Sequence, residues 1–174
     1  MAKEITMTTE CYAELDGRLL MLHRVKKEQD INKDKWIGVG GHLEFGESPE
    51  EGIRRELAEE TGMTADRMDY RGVITFVYGE VTEIIFLFTA RGLRDSTGQP
   101  VDLQTELPDC DEGVLAWVLW EEVGDLPIWE GDRVFLELLR KETRFFSVKL
   151  IYDADDTLIR AIVNEKETDL KKRY

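Results

Sequence analysis

The period of apolar positions changes along this chain, and each change predicts an element. Residues 5–14 (ITMTTECYAE) and 19–24 (LLMLHR) are apolar and β-branched enough for two strands, with Asp16-Gly17 as the hairpin turn between them. A polar, basic loop follows at 26–35 (KKEQDINKDK), and Trp36–Val39 reads as a short strand running into Gly40-Gly41. At Ser48-Pro49-Glu50-Glu51 the pattern turns helical: Ser48 caps, Pro49 suits the first turn, and Glu51 completes a capping box. Gly62 supplies the stop, so residues 49–61 form a helix. Residues 70–78 and 83–91 read as strands on either side of Gly79, residues 92–111 as a loop, and Val114–Leu119 as a further strand. Pro127 precedes a second helix at 131–141, and 145–152 with 157–163 form a hairpin turning at Asp155-Asp156. The expectation is an α+β chain, rich in strands, with two main helices.

Length and composition bound this picture. No repeat or Gly/Ser linker divides the 174 residues, so one domain over 1–174 is expected. A hydrophobic share of 42% supports a packed core rather than disorder. No run of 18 apolar residues predicts a membrane span, and the first residues lack the pattern of a signal peptide. Cys11 and Cys110 show no CxxC spacing, so neither a disulfide framework nor a zinc site is indicated, and a cytoplasmic location fits best.

Charge sharpens the reading. The 23 Lys and Arg stand against 37 Asp and Glu, a net charge of −14. Broad binding to a nucleic-acid duplex or an anionic membrane needs a basic surface and is excluded; a small phosphate substrate is not, provided a cation intervenes. The acids are unevenly placed. Residues 95–132 hold eleven Asp or Glu and no Lys, Arg or His, and residues 41–63 hold seven Glu against Arg54 and Arg55.

On the 49–61 helix, at about 100° per residue, Glu56, Glu59 and Glu60 share one arc beside the apolar stripe of Ile53 and Leu57. Two carboxylates about 5 Å apart repel by roughly 3 kcal/mol at an effective dielectric near 20, so a half-buried cluster calls for protons or a cation. Oxygen ligands alone suit Mg²⁺ or Mn²⁺. The spacing around these residues is specific. Gly41, Glu47, Arg55-Glu56-Leu57, Glu59-Glu60 and Gly62-Met63 stand in GHLEFGESPEEGIRRELAEETGM, and this segment resembles the signature box of the Nudix hydrolases.

That resemblance implies a mixed sheet sandwiched between helices, an α/β/α arrangement, with the box at 41–63 forming a loop–helix–loop. It implies cleavage of nucleoside diphosphates linked to a further group, using a divalent metal, Mg²⁺ with Mn²⁺ as the alternative. Glu56, Glu59 and Glu60 match the family's metal-binding glutamates, and Gly40 a backbone carbonyl ligand. Glu47 and Arg55 match a pair that orients the catalytic helix.

Nearly the whole chain also resembles the MutT-like branch that acts on oxidised purine nucleoside triphosphates such as 8-oxo-dGTP in sanitation of the nucleotide pool. On that basis Glu112 is a fourth metal or base carboxylate, Arg24 a phosphate contact, Trp129 a purine-stacking aromatic and Asp132 a reader of the base edge. Phe76 and Tyr78 match pocket aromatics; their spacing by two puts them on one strand face, where core and pocket are both open. Three positions depart from the branch: Ile37 where a pocket Asn occurs, Gly131 in place of the first of two acids, and Glu83 near an apolar position. The departures leave other nucleotide substrates open (ADP-ribose, a dinucleoside polyphosphate, a capped RNA end), and a non-catalytic nucleotide sensor as a reading of another class. A nucleotide is the expected partner, and a monomer or homodimer the expected state.

Overall fold

The computed structural model describes residues 3–141 and 144–172. In chain order the strands are β1 (Glu4–Leu15), β2 (Arg18–His23), β3 (Trp36–Ile37), β4 (Val39–His42), β5 (Thr64–Tyr78), β6 (Val81–Arg94), β7 (Val114–Leu119), β8 (Phe146–Tyr152), β9 (Leu158–Val163) and β10 (Lys166–Glu167). The helices are α1 (Pro49–Thr61), between β4 and β5, and α2 (Asp132–Lys141), between β7 and β8.

Local signals account for most of these. Asp16 and Gly17 both take positive φ, 47° and 73°, as a tight hairpin requires, and Ala13 then pairs with Leu20. Ser48 accepts from the Glu51 N–H at 3.2 Å while Glu51 accepts from the Ser48 N–H at 2.8 Å, and Gly62 closes α1 at φ 67°.

Strand lengths differ from expectation. β5 and β6 reach to Thr64 and Arg94, because their polar ends still pair through the backbone and turn Ala65 and Leu93 inward. The strand expected at 36–39 is broken at Gly38. Trp36 and Ile37 pair with β2, whereas Val39–His42 pairs with β1. β1 therefore gives one edge to β2 at its end and to β4 in its middle, while its other edge runs parallel to β6.

One mixed sheet of ten strands results, with order β10-β9-β8-β5-β6-β1-β2-β3; β4 joins β1 and β7 joins β2. Alternation along the strands fills two cores. Cys11, Leu20 and Leu22 point to the side of α1, with Ile53 and Leu57. Tyr12, Leu19 and Met21 point to the side of α2, with Val134, Phe135 and Leu139. The chain is thus layered helix–sheet–helix, as the resemblance implied. No helix among the described residues is long and apolar enough to cross a membrane.

Candidate active site

The split of β1 between β2 and β4 opens a cleft. Gly40 and Gly41 lie on its rim: a Cβ on Gly40 would stand 1.9 Å from the Thr9 carbonyl oxygen, so only glycine fits there, and one on Gly41 would stand 2.6 Å from Glu56 Oε1 and push that side chain away. The box glutamates thus approach bare backbone.

Arg55 fixes that approach. Its guanidinium donates to both oxygens of Glu47 (2.6 and 3.0 Å), to Glu56 (2.8 Å), to Glu59 (3.1 Å) and to the His42 carbonyl (3.0 Å). One planar fork so ties β4, the loop before α1 and the helix itself together. The contact with Arg55 holds the Glu47 carboxyl below its usual range.

The three glutamates of the arc are not equivalent. The Glu56 side chain is 14% exposed and that of Glu59 59% exposed. Glu60 is half-buried and accepts from the Gly40 N–H at 3.2 Å. Burial, followed by the charges of Glu112 and Glu56, raises its pKa to about 8. Glu112 comes from the turn before β7 and is ion-paired to Arg24 and, at 2.6 Å, to Lys27.

Two carboxylates, Glu56 and Glu112, therefore bear on Glu60, a concentration of charge that an oxygen-binding divalent cation would relieve. Glu59 stands apart on the solvent side, so the shared arc expected for all three holds in angle but not in burial. Ion pairs occupy Glu56, Glu59 and Glu112, and among the described residues no three acidic, His or Cys side chains form a ready-made metal cluster.

The cleft has a volume of about 300 Å³ and runs from Arg24 and Glu112 at one end to an aromatic end. Arg24, Gly40, Phe76, Glu112, Trp129 and Asp132 line it, whereas Glu47, Arg55, Glu56, Glu59 and Glu60 lie outside its lining. Tyr78 does not line it either; it packs on Phe76 at 6.5 Å and donates to the Ala154 carbonyl. Trp129 is 4% exposed, edge-on to Phe76 and Tyr152, with its Nε1–H donating to Asn32 at 2.8 Å and the Lys35 ammonium 4.4 Å from the ring centre.

Sequence reading missed an acid here. Glu10 on β1 lines the cleft, accepting from the Tyr12 hydroxyl at 2.7 Å and the Gly38 N–H at 2.9 Å. Burial pushes the pKa of both Glu10 and Asp132 up, and the charge of Glu10 raises Asp132 further. Asp132 is therefore not a lone carboxylate. Position 131 cannot supply its partner, because a side chain there would meet the Leu150 methyl and the Tyr152 hydroxyl at 2.5 Å. The legible signal was a Glu two residues before Tyr12, on the inward face of an apolar strand.

A glycine-rimmed cleft beside an arginine-anchored acidic helix is an arrangement suited to phosphate chemistry with a divalent cation. The chain belongs to the NUDIX domain family, whose model matches residues 11–139. It is 30% identical over 137 residues to the uncharacterised Nudix hydrolase YvcI of Bacillus subtilis, covering 76% of this chain and 78% of that protein. It is 26% identical over 154 residues to the oxidised purine nucleoside triphosphate hydrolase of Danio rerio, covering 87% and 89%. The crystal structure of a MutT protein from Bacillus halodurans superposes with a TM-score of 0.75 at 24% identity, covering 91% of this chain and 97% of that one, and shares the fold.

Proposed function

We propose that this Nudix hydrolase is a Mg²⁺-dependent pyrophosphohydrolase. It converts an oxidised purine nucleoside triphosphate, such as 8-oxo-dGTP, and water to the monophosphate and pyrophosphate. The observation that carries the reading is the cleft: Glu112 at one end, whose charge also acts on Glu60 beside it, and an aromatic and acidic pocket at Phe76, Trp129 and Asp132 at the other. The likeness to the Danio rerio hydrolase supports the same substrate class.

In this reading Glu56, Glu60 and Glu112, with Glu59 from the solvent side and the Gly40 carbonyl, would hold the metal, which would neutralise phosphate charge; Mn²⁺ suits the same oxygens. Arg55 and Glu47 position α1. A carboxylate of this group takes a proton from the attacking water. Arg24 reaches the phosphates once it leaves Glu112. Phe76 and Trp129 wall the purine, and Tyr78 supports them from behind. One sheet carrying strands from Glu4 to Glu167 supports a single domain over 1–174, and two free, buried cysteines fit the cytoplasm.

The test is a panel of nucleotides incubated with Mg²⁺, with products identified by mass. The expected result is monophosphate plus pyrophosphate, with 8-oxo-dGTP processed at higher kcat/KM than dGTP. Equal values for the two would overturn the oxidised-purine assignment, and release of products from ADP-ribose alone would move the substrate to another class.

A further inference from the structure

The aromatic end of the cleft is floored by carboxyl groups brought in from three elements. On β1, residues Tyr12, Glu10 and Thr8 share the strand face that α2 covers. Tyr12 lies under α2, fully buried, and Glu10 and Thr8 on the same face line the cleft. Glu83 of β6 faces the same space and is already satisfied by the Thr8 hydroxyl at 2.7 Å. Asp132 opens α2 and is 8% exposed, among the backbone of Trp129 and the cations Lys35 and Arg133.

Glu10 differs from the other two. The Tyr12 hydroxyl and the Gly38 N–H both donate to its Oε1, so the carboxyl is clamped through one oxygen. Its Oε2 has no protein partner among the described residues, on a side chain that lines the cleft. A fixed acceptor without a donor, beside a buried second carboxyl and between aromatic walls, is a half-made recognition contact. Oε2 is open to the cleft rather than sealed away, and a ligand N–H takes the place of solvent there.

We propose that Glu10 is a specificity-determining residue, its Oε2 accepting an N–H from the ring edge of the bound base while Asp132 accepts a neighbouring one. The pair selects a purine whose pairing edge presents adjacent N–H donors, as the guanine type does, and disfavours the adenine type, which sets a bare ring nitrogen against a carboxylate. Each arriving donor offsets the desolvation and mutual repulsion of the two acids. The inference rests on the reading of the aromatic end as a base pocket. It goes beyond that reading by placing discrimination on β1, far in sequence from the 129–132 turn.

The test separates binding from turnover. dGMP, dIMP (which lacks the 2-amino group) and dAMP are titrated without metal into the wild type and Glu10→Gln, whose amide keeps the shape and turns one acceptor into a donor. The wild type should bind dGMP at least tenfold tighter than dAMP, with dIMP between them. In Glu10→Gln that ratio should collapse toward one, and KM for guanine-type triphosphates should rise more than kcat falls. A ratio unchanged in folded Glu10→Gln, or a wild type that binds dAMP as tightly as dGMP, would overturn the proposal. Should Glu10→Gln fail to fold, Tyr12→Phe frees the clamped oxygen while keeping the acid, and should lower the ratio partway; no change there would overturn it too. Monophosphate discrimination without hydrolysis of any purine triphosphate would instead count against the proposed function and leave the role of Glu10 standing.

Discussion

Arg55 and Trp129 each do more than one task, and their substitution effects follow from counting partners. In the box, Glu56 and Glu60 sit against the glycine rim, whereas Glu59 meets solvent and one Arg55 nitrogen. Glu56→Gln and Glu60→Gln should each lower turnover by two or more orders of magnitude, since loss of metal charge stabilisation is worth several kcal/mol, with the melting temperature held or raised. Glu59→Gln should cost less. Equal losses at all three positions in steady-state kinetics with saturating Mg²⁺ would contradict this ranking. Trp129 is largely buried among Phe76, Tyr78 and Tyr152, so Trp129→Ala should lose about 3–5 kcal/mol of stability in urea unfolding, and its KM would report partial collapse as well as lost stacking. Trp129→Phe keeps the packing and removes the bond to Asn32, about 1 kcal/mol, and is the variant to assay for base affinity. The box residues were legible because their chemistry is fixed by spacing along one helix. Glu10 was not, since its role depends on which strand face α2 covers and on where α2 ends. Gly131 read as a missing acid; the side chains of Leu150 and Tyr152, some twenty residues on, decide that no acid fits there.

Elements show the same division between local and distant causes. α1 was readable to the residue because its caps are written in its ends. The break of the 36–39 strand was not readable, because Gly38 turns the chain from one partner strand to another and only the sheet says which. The extent of β5 and β6 was underread for a related reason: a ladder continues through polar residues wherever the partner strand continues. A pair of glycines tests how the rim is built. Gly40→Ala places a methyl 1.9 Å from the Thr9 carbonyl, so β1 and β4 must part, and both turnover and melting temperature should fall. Gly46→Ala meets open space but must hold φ 84°, and should cost about 1 kcal/mol with turnover retained. A Gly40→Ala protein with wild-type turnover would mean that the rim tolerates a side chain, and that the close approach of the carboxylates to backbone is not needed.

At the scale of the whole molecule, the protein gathers acids where it also buries them, and stability must register this through pH. Glu60 has an ordinary value of 4.5 and a folded value of about 8, raised first by burial and then by Glu112 and Glu56. A carboxyl raised on folding favours the folded state below its unfolded value, where both states hold the proton. The favour is lost as pH climbs toward the folded value, because the unfolded chain ionises freely and the folded one does not. The melting temperature without added metal should therefore fall between about pH 5 and pH 8 at fixed salt. A divalent cation among Glu56, Glu60 and Glu112 stabilises the ionised form, so Mg²⁺ should raise the melting temperature more at pH 8 than at pH 5. At a hundredfold excess over Kd the linkage amounts to about 2.7 kcal/mol. Glu60→Gln should be steadier than the wild type across that range and gain less from Mg²⁺. The measurement is a grid of thermal scans over pH and metal for both proteins at constant ionic strength, which keeps the repulsion of the −14 net charge equally screened. Parallel pH slopes in wild type and Glu60→Gln, with the same gain from metal, would place the stored repulsion elsewhere than the carboxylates around Glu60.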